Sequence, residues 1–370
     1  MSTRADADQQ AAPKVVVDLR SKPKTGIYRY SLRLMEPADG WCFEPLRTLG
    51  CGEDERVSRV KAILRMMYEF FCLPFVLKRR RADIFHCTKN FGLPFFSFGV
   101  KRVLTVMDII PLKFSDYAPN LFFRCFYFCN LWLSCRAADQ IICISHFTAE
   151  ELARRFHFTR AKIHVVPLGV DCAHFSSGEA EVAPLPAGIG TRPFILTIGG
   201  TEPRKNVAAV MELFQRGELA DCDLVVIGGE WKDRPFPVAM RSNPRIHLVG
   251  MVSEAELVAL YRRAALFVFA SVYEGFGLPP LEVMAAGTPV VAARTSCLPE
   301  ILGDAAEWFD PAVPGELLRA IKRVLDDPVR RENLIGSGRR RAAEFPWEKT
   351  LLETRKVWRA LVPETRRRGR

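Results

Sequence analysis

The sequence lacks paired cysteines, a long uncharged apolar segment and any short-period repeat. Its eleven cysteines are scattered, without a CxxC pair, which argues against a disulfide framework or a zinc site and favours reduced thiols in a cytoplasmic setting. The most apolar segment, residues 121–135, is interrupted by Arg124 and is too short to span a bilayer. Residues 1–13 are small and polar, so we expect a loose tail there and not a signal peptide.

Length and charge set the next bounds. The chain has 370 residues, of which 49% are hydrophobic, so it is too long for one ordinary core and apolar enough to bury two. Its net charge of +11 suits nucleic acid, an anionic membrane surface or phosphorylated substrates. The charge alone does not choose among these partners.

Both halves of the chain alternate apolar, strand-like runs with helical patterns. Such alternation predicts an α/β protein with two doubly wound domains that face one another across a cleft. Residues 176–192, rich in Gly, Pro, Ala and Ser, predict the linker. We expect a first domain over residues 1–178, a second over 190–345, and a C-terminal helix over 346–362 that packs back on the first.

The stretch 271–294, SVYEGFGLPPLEVMAAGTPVVAAR, has the most informative pattern. An apolar run leads into two carboxylates that flank a glycine-bracketed aromatic and two prolines, which suit the first turn of a helix. N–H groups at a helix start beyond a strand can hold phosphate. An ordinary βαβ turn, with the second carboxylate favoured only by the helix dipole, is the simpler alternative. The candidate residues are Glu274, Gly275, Phe276, Gly277, Leu278 and Glu282.

Arg204 and Lys205 stand together where a helix is expected to open after a Gly-Gly pair. Cations oppose the helix dipole at that position, so we expect an anion to offset their charge. A diphosphate fits, because Arg binds phosphate bidentately and Lys acts as a compact point charge. Solvated surface cations are the alternative. Further along the chain, residues 248–252 (LVGMV) are predicted to end a strand. The backbone groups of Gly250 and Val252 there are candidates to contact a planar nucleobase.

In the first half, the candidates lie where predicted strands end or helices begin. Strand ends face the cleft if the sheet is parallel, although a lone histidine is more often a structural hydrogen-bonding residue and a lone glycine is as often a turn residue. The candidates are Gly26, His86, Met107, Asp108 and Ser145, and the last is expected to cap a helix.

Two segments combine aromatic side chains with arginine or lysine, residues 57–81 and 120–136. This combination is typical of a surface that contacts an anionic membrane. Buried helices are the alternative for both segments, and the simpler one for the second. Two D-x-D strings, Asp6/Asp8 and Asp221/Asp223, are interpreted as solvated charge, and we expect no metal.

Several short motifs occur in order along the chain: GIYRY (26–30), FHCTKN (85–90), ISHFTAEEL (144–152), VVPLGVD (165–171) and EPRKN (202–206). They precede two glutamates separated by seven residues around GFGLP. With these motifs the sequence resembles a family 4 retaining glycosyltransferase of the GT-B architecture, over about residues 15–358. Among subfamilies it is most similar to bacterial mannosyltransferase-like enzymes of cell-surface polysaccharide synthesis.

The resemblance implies a reaction and its substrates. A hexose, with mannose as the first choice, is transferred from a nucleotide-diphosphate sugar, with GDP-mannose as the first choice, to a glycan acceptor that is lipid-linked. Retention of configuration is implied, by front-face attack and without a metal or other cofactor. The implied location is cytoplasmic, with peripheral attachment to the cytoplasmic face of the membrane.

The resemblance also implies residue roles. Arg204 and Lys205 bind the donor diphosphate, Glu282 holds the nucleotide ribose and Glu274 contacts donor sugar hydroxyls. Backbone groups of Gly275, Phe276, Gly277 and Leu278 assist, and Gly26 allows the first-domain loop to approach the diphosphate and the acceptor.

One position departs from the family pattern. The family has His-Asp where this chain has Met107 followed by Asp108. Methionine neither donates nor accepts a proton, so acceptor handling differs here or activity is weaker, and an inactive transferase is one alternative. A nucleotide-sugar 2-epimerase on the same architecture is a second. The third is a basic nucleic-acid-binding protein, which the lack of interleaved aromatic and basic recognition motifs disfavours, so we expect no nucleic-acid partner.

Overall fold

A computed structural model describes residues 12–21, 25–47, 64–117, 120–176, 184–229 and 235–362. Several segments discussed above lie outside these ranges: most of the expected N-terminal tail with Asp6 and Asp8, residues 57–63, and residues 177–183 of the expected linker. The chain divides into two compact units. One extends to Pro167 and resumes at Glu348, and the other is Leu168–Trp347.

The first unit is built on a six-stranded sheet in the order β2-β1-β3-β4-β5-β6. All neighbouring strands are parallel, and the central ones are buried along most of their length, as expected for a sheet covered on both faces. The order reverses between β1 and β3, where open α/β sheets bind ligands. The strands are β1 (Lys14–Asp18), β2 (Cys42–Leu46), β3 (Ile84–Cys87), β4 (Lys101–Val106), β5 (Gln140–Cys143) and β6 (Ile163–Val165).

Three helices of this unit begin after a side chain, that of Thr25, Asn120 or Ser145, which accepts from one of their first N–H groups. The helices are α1 (Gly26–Arg33), a π-helical turn (Tyr68–Cys72) that runs directly into α2 (Leu73–Arg79), α3 (Ile110–Lys113), α4 (Leu121–Ala137) and α5 (His146–Arg155). Asn120 Oδ1 accepts from Phe123 N–H at 3.1 Å to cap α4. The inward face of α4, with Tyr127, Leu131 and Cys135, joins the hydrophobic core, so this second aromatic segment is chiefly a core helix.

The second unit is built on another six-stranded sheet, in the order β12-β11-β10-β7-β8-β9. All its neighbouring strands are parallel, and the order reverses between β7 and β10. This is the strand order of a dinucleotide-binding Rossmann domain. The strands are β7 (Phe194–Ile198), β8 (Asp223–Ile227), β9 (Ile246–Gly250), β10 (Leu266–Phe269), β11 (Val290–Ala293) and β12 (Glu307–Phe309).

Helices on both faces of the second sheet complete its core. They are α6 (Cys172–Ser176), α7 (Val207–Gln215), α8 (Val238–Arg241), α9 (Glu254–Arg263), α10 (Leu278–Ala286), α11 (Leu298–Leu302), α12 (Glu316–Leu325) and α13 (Pro328–Ala343). The last helix of the described residues is α14 (Trp347–Leu361). Within the described ranges, none of the helices is long and apolar enough to cross a membrane.

The chain enters the second unit at Leu168, ahead of the linker expected at 176–192. Residues 168–176 belong to this unit because Val170 N–H donates to Phe345 O at 2.8 Å. In addition, the Phe175 and Tyr261 ring centroids are 5.9 Å apart. From Glu348 onward α14 belongs to the first unit, where Trp358 is completely buried against Trp41, Phe43 and His86.

Asp223, which the sequence predicted to be solvated, is buried. It lies at the start of β8, where its carboxylate is 3.1 Å from His247 Nε2 and 3.2 Å from Arg192 Nε. Both partners are distant in sequence, so no local pattern marked the site. Asp223 is therefore part of the fold of the second unit.

Candidate functional site

The reversal of strand order in the second sheet brings together the segments that follow β7 and β10. A 3₁₀ turn, Pro203–Lys205, follows β7, and Asn206 in the left-handed region (φ 53°) separates it from α7. Arg204 and Lys205 therefore precede the helix instead of occupying its first turn. Val272 N–H donates to Arg204 O at 2.9 Å, which joins this turn to the segment after β10.

Glu274 lies between the two cations. Its Oε1 is 2.8 Å from Lys205 Nζ and 2.8 Å from an Arg204 terminal nitrogen. Ser296 Oγ accepts from Glu274 N–H at 3.0 Å and thereby fixes the backbone that carries this carboxylate. The sequence predicted the cation pair and the glutamate as parts of one donor site on two separate segments, and the structure shows that the three side chains are in direct contact.

Arg204 is held on every side by protein groups. Its Nε and a terminal nitrogen donate to Glu202 Oε1 at 3.0 and 2.8 Å, and its other terminal nitrogen donates to Tyr273 O. Burial opposes the guanidinium charge, but Glu274 and Glu202 outweigh burial and raise the pKa of Arg204. The anion expected to offset the cations is thus supplied in part by the protein's own Glu202, which sequence reasoning missed although it is part of the EPRKN motif.

Lys205 has fewer hydrogen-bond partners within the protein than Arg204. Among the described residues, Glu274 is the acceptor recorded for its ammonium, and an ammonium has three N–H donors. Its Nζ also lies 5.4 Å from the centre of the Phe269 ring, an arrangement that favours a cation. Burial would raise the pKa of Glu274, but Lys205 and Arg204 hold that pKa below its ordinary value. The cluster therefore contains an ionised carboxylate and a lysine with donors available to a ligand.

Glycines shape the backbone around the cluster. Gly200 has φ 56°, and a Cβ there would lie 1.9 Å from Gly229 O, so the loops after β7 and β8 pack backbone to backbone. Gly228 N–H donates to Gly250 O at 2.8 Å, which places the candidate Gly250 at the edge of these loops. Val252, two residues further, is half-buried.

Gly277 is the N-cap of α10. Its φ is 90°, a conformation that glycine adopts far more readily than any other residue. Pro279 and Pro280 lack an N–H, so the backbone N–H groups at this helix start are those of Gly275, Phe276, Gly277 and Leu278. The Phe276 side chain is buried, with its ring 5.8 Å from that of Phe345. Phe276 therefore contributes packing through its side chain and can contact a ligand only through its backbone.

Glu282 has a different environment from Glu274. It is buried on α10, where the hydroxyl of fully buried Tyr261 donates to its Oε2 at 3.1 Å. Thr288 Oγ in turn donates to Tyr261 O. The two glutamates thus separate, one paired with cations and the other bonded to a phenol, and Tyr261 is a residue that sequence reasoning missed.

His86, a candidate in the first unit, is fully buried in β3. Its Nε2 lies 2.7 Å from Thr105 Oγ1, and Tyr30 Oη lies 3.2 Å from the same oxygen. Burial lowers the pKa of His86 to about 3, so the imidazole is neutral near pH 7. The ring packs against Tyr30 and Trp358 in the core of its unit, and a contact of His86 with a substrate stays a prediction.

Met107 and Asp108 are held by Asn90, a residue of the FHCTKN motif. Asn90 Oδ1 accepts from Met107 N–H at 2.8 Å, and its Nδ2 donates to Asp108 O at 2.9 Å. Asp108 Oδ1 accepts from Ile110 N–H at 3.0 Å. Met107 is buried and Asp108 half-buried, so the aspartate and not the methionine is placed to meet a ligand.

The remaining candidates occupy helix starts of the first unit. Gly26 is the exposed first residue of α1, and a Cβ there would meet no atom within 4 Å. Its own backbone therefore does not need glycine, which is consistent with an approach by a group from outside. Ser145 is buried and caps α5, where its Oγ accepts from Thr148 N–H at 3.1 Å.

The largest feature that sequence reasoning missed lies at the reversal point of the first sheet. Asp18, the last residue of β1, lies 2.8 Å from an Arg20 terminal nitrogen and 3.6 Å from Lys89 Nζ. Glu69 from the π-helical turn lies 3.1 Å from Arg20 and 3.3 Å from Lys89. We call these four residues the first-unit charge cluster. Burial opposes the charge of Asp18, yet Arg20 and Lys89 hold its pKa well below the usual range.

Comparison with known proteins agrees with this architecture. Residues 186–341 match the family model of glycosyl transferases group 1, and residues 45–174 match that of Glycosyltransferase Family 4. The O-antigen chain mannosyltransferase B of Escherichia coli is 29% identical over 75% of this chain and 75% of its own length. The MMP alpha-(1->4)-mannosyltransferase of Mycolicibacterium hassiacum is 30% identical over 61% of this chain, and the match spans about half, 55%, of that protein.

The fold has solved counterparts. A sucrose-phosphate synthase from Thermosynechococcus elongatus superposes with a TM-score of 0.73 at 19% identity, over 94% of this chain and 99% of that one. The family expected from the sequence motifs is therefore confirmed, as is the pair of Rossmann-like domains. The chain belongs to glycosyltransferase family 4 and has the two Rossmann-like domains of the GT-B architecture.

Proposed function

We propose that this glycosyltransferase transfers a hexose, with mannose as the first choice, from a nucleotide-diphosphate sugar to a lipid-linked glycan acceptor in cell-surface polysaccharide synthesis. The observation that carries the proposal is the cluster at the reversal point of the second sheet, where Glu274 lies 2.8 Å from both Lys205 and Arg204. The two mannosyltransferases that resemble the chain support the choice of sugar. GDP-mannose is accordingly the first donor to test.

In the proposed reaction the second unit binds the donor. Cleavage of the bond between sugar and phosphate leaves negative charge on the nucleoside diphosphate, and cations placed in advance at that point stabilise the transition state. Lys205 would contact the diphosphate directly, because its ammonium has donors beyond the one given to Glu274. Arg204, whose nitrogens already bond Glu202, Glu274 and Tyr273 O, would act by charge and by holding the loop.

The two glutamates would serve different parts of the donor. Glu274 would accept hydrogen bonds from sugar hydroxyls, with the backbone of Gly275, Phe276, Gly277 and Leu278 as further donors. Glu282 would accept from the ribose hydroxyls, with Tyr261 fixing its carboxylate. Gly250 and Val252 would lie on the nucleobase side.

The first unit would bind the acceptor. Asp108, oriented by Asn90 and by Ile110 N–H, is the carboxylate proposed to meet the acceptor hydroxyl. Met107 gives no proton acceptor at the neighbouring position. We therefore propose that the acceptor proton passes to the leaving phosphate in a front-face attack that retains the anomeric configuration and requires no metal.

The test is a panel of nucleotide sugars, assayed by release of nucleoside diphosphate with and without a glycan acceptor. GDP-mannose is expected to support the fastest acceptor-dependent release, unchanged by a chelator, and proton NMR of the product should show the donor's anomeric configuration. An inverted product or loss of activity with the chelator would contradict the retaining, metal-independent reaction.

The alternatives give different results in the same assay. Appearance of a free, epimerised sugar nucleotide without an acceptor would indicate a 2-epimerase. Turnover with none of the donors, together with salt-sensitive binding to a generic DNA duplex, would favour a nucleic-acid-binding protein. Turnover with none of them and no such binding would indicate an inactive transferase.

A further inference from the structure

We infer that the first unit has a membrane-docking face, built from the outer side of residues 64–79 and the turn at residues 95–98, that binds anionic lipid bilayers. It extends the proposed function by naming the surface that would hold the enzyme at a lipid-linked acceptor, and it depends on that function for this purpose alone. Binding to lipid can be measured whether or not the enzyme transfers sugar.

The first observation is a continuous exposed apolar stripe on one helical segment. Along residues 64–79 the exposed apolar side chains recur at three- to four-residue spacing, which places them on one side of a helix; they are Leu64, Met67, Tyr68, Phe71 and Phe75. Phe71 and Phe75 are each 63% exposed. On the opposite side Leu73 and Leu77 are fully buried in the core, so the orientation of the segment is fixed by the fold.

The second observation is a strained turn that adds to this stripe. Val100 N–H donates to Ser97 O at 2.9 Å, and the two residues between, Phe98 and Gly99, have φ of 48° and 89°. Glycine tolerates that conformation, whereas phenylalanine adopts it at a cost. Strain of this kind is characteristic of functional sites. The turn holds the exposed Phe98 ring 5.0 Å from that of Phe75.

Phe95 and Phe96 continue the same turn outward. Their rings are 5.3 Å apart and both side chains are exposed. Arg102 donates to Phe95 O at 2.6 Å, which anchors the loop that carries them to β4. Five phenylalanines are thus exposed by two adjoining segments whose backbones are held in place. Exposed aromatic surface of this extent on a helix and a loop marks an interaction site.

The charges around the stripe identify the partner. Between residues 64 and 102 the sequence has eight lysines and arginines against two acidic residues, Glu69 and Asp83. Two of these cations face elsewhere, since Lys89 joins the first-unit charge cluster and Arg102 pairs with Asp139. Glu69 is buried and Asp83 accepts from Lys14 N–H at 2.8 Å. Lys78 is exposed, with its Nζ 5.0 Å from the centre of the Phe98 ring. Arg79 and Arg81 are exposed at the end of the same helix.

This charge pattern favours a lipid surface over the other partners. Aromatic side chains that enter the interface beside cations that meet anionic headgroups match the requirements of peripheral membrane binding. Two copies of the same basic face would repel one another. A single-stranded nucleic acid also combines aromatic stacking with cations, so competition by an oligonucleotide is part of the test.

The docking face is also connected to the first-unit charge cluster. The π-helical turn that exposes Phe71 directs Glu69 inward to Arg20 and Lys89. A π-helical turn is uncommon and frequent at functional sites. The same turn therefore presents aromatic rings to the outside and ties the helix to the edge of the sheet where β1 and β3 end.

The test is co-sedimentation of the full-length protein with vesicles of phosphatidylcholine alone and of phosphatidylcholine with phosphatidylglycerol, without any sugar nucleotide. Wild type is expected to prefer the anionic vesicles and to lose that preference as salt is raised. The variant F71S/F75S is expected to bind about tenfold more weakly per phenylalanine, and R79Q/R81Q about fivefold more weakly per charge.

Matched controls come from the second unit. Val238 and Val329 are exposed apolar residues there, and Arg241 and Lys322 are exposed cations. V238S/V329S and R241Q/K322Q are expected to bind vesicles as wild type does. Circular dichroism of each variant separates loss of the docking face from loss of the fold, and the charge variant gives a second measurement if F71S/F75S is unstable.

Three results would overturn the inference. These are equal or no binding to the two kinds of vesicle, wild-type binding by both docking-face variants, and displacement from anionic vesicles by a single-stranded oligonucleotide. Self-association that F71S/F75S abolishes, seen by analytical ultracentrifugation without vesicle binding, would instead indicate a second copy of the chain. Vesicle binding with no sugar transfer would contradict the proposed function and leave the docking face standing.

Discussion

Both sheets place a carboxylate between two cations at the point where their strand order reverses, but the two clusters differ in what they expose. In the first unit the side chains of Asp18, Arg20 and Glu69 are 2% exposed or less, and Lys89, at 13%, is the member that reaches the surface. In the second, Glu274 and Lys205 are 12% and 16% exposed.

In the first-unit charge cluster the charged side chains bond chiefly to one another. Arg20 donates to Asp18 through two nitrogens, Glu69 takes a third contact, and even the Cys87 thiol donates to Asp18 Oδ2. In the second cluster the Lys205 ammonium has N–H donors beyond the one given to Glu274, and these are available to a ligand. We propose that similar charges at equivalent places in two Rossmann-like sheets serve the fold in one unit and ligand binding in the other.

The largest expected effect is on catalysis, in the second cluster. Lys205→Ala is expected to lower kcat/KM for the donor by about 100- to 1000-fold, because it removes a positive charge aimed at the leaving diphosphate. The free energy of unfolding should change little, since Glu274 keeps its contact with Arg204. Steady-state kinetics and urea unfolding of the same preparation measure both quantities.

Two further variants make this prediction specific. Lys205→Arg keeps the charge and is expected to recover part of the lost activity, and Lys322→Ala, at an exposed position on α12, should behave as wild type. Near-normal turnover by Lys205→Ala would contradict the proposal that this cluster binds the donor. The two clusters would then not differ in function.

The second expected effect is on stability, in the first-unit charge cluster. Asp18→Asn leaves the buried Arg20 and the half-buried Lys89 with Glu69 as their carboxylate, and breaking a buried pair such as Asp18–Arg20 costs about 3 kcal/mol of unfolding free energy. Glu44→Gln is the matched control, because Glu44 pairs with Lys14 and Arg80 while about 30% exposed and such pairs contribute at most about 1 kcal/mol. Equal losses in the two variants would show that the first cluster is not the structural one.

The pH dependence of the same two variants gives an independent reading. Because the pKa of Asp18 is lowered in the folded protein, its stabilisation is fully present above the unfolded pKa of about 3.9. It is lost as the pH falls below that value toward the folded-state pKa. Wild type and Glu44→Gln should therefore lose unfolding free energy below about pH 4, and Asp18→Asn should lose less of it. An unchanged acid slope in Asp18→Asn would contradict the lowered pKa.

The sequence was sufficient for the second cluster and insufficient for the first, for a physical reason. Glu274 and Glu282 belong to one strand–loop–helix unit, and Arg204 and Lys205 to another, so local spacing and turn-forming glycines predicted each group. Only the direct contacts of Glu274 with Arg204 and Lys205 required the fold.

The first cluster depends instead on contacts between distant segments. Glu69 stands in an apolar run, MMYEFFC, whose aromatic residues indicated a membrane face or a buried helix. Its inward direction comes from the π-helical turn, which no spacing in the sequence predicts. Gly92 shows the same dependence, because a Cβ there would lie 2.8 Å from Glu69 Oε1, a contact visible only in three dimensions.

The smallest expected effect is that of Gly26→Ala on KM, and it tests whether the first unit has a substrate-facing backbone. A Cβ at Gly26 would meet no atom within 4 Å, unlike the Cβ positions of Gly92 and Gly200. Gly26→Ala should therefore leave stability within about 0.5 kcal/mol of wild type. If the loop lets a substrate approach its backbone, the added methyl should raise KM by several-fold with little change in kcat, and thermal unfolding with donor and acceptor titrations measures this.

The matched control for Gly26 is Gly190→Ala, at another exposed glycine whose Cβ would meet nothing, and it should change neither stability nor KM. If Gly26→Ala also leaves KM unchanged, Gly26 is a turn residue and leaves the proposed site. If it lowers stability, the added methyl at Gly26 meets a neighbouring group and the open Cβ position is contradicted. A rise in KM alone would place a substrate-facing surface next to the first-unit charge cluster, because the methyl group can then obstruct only a molecule from outside the protein.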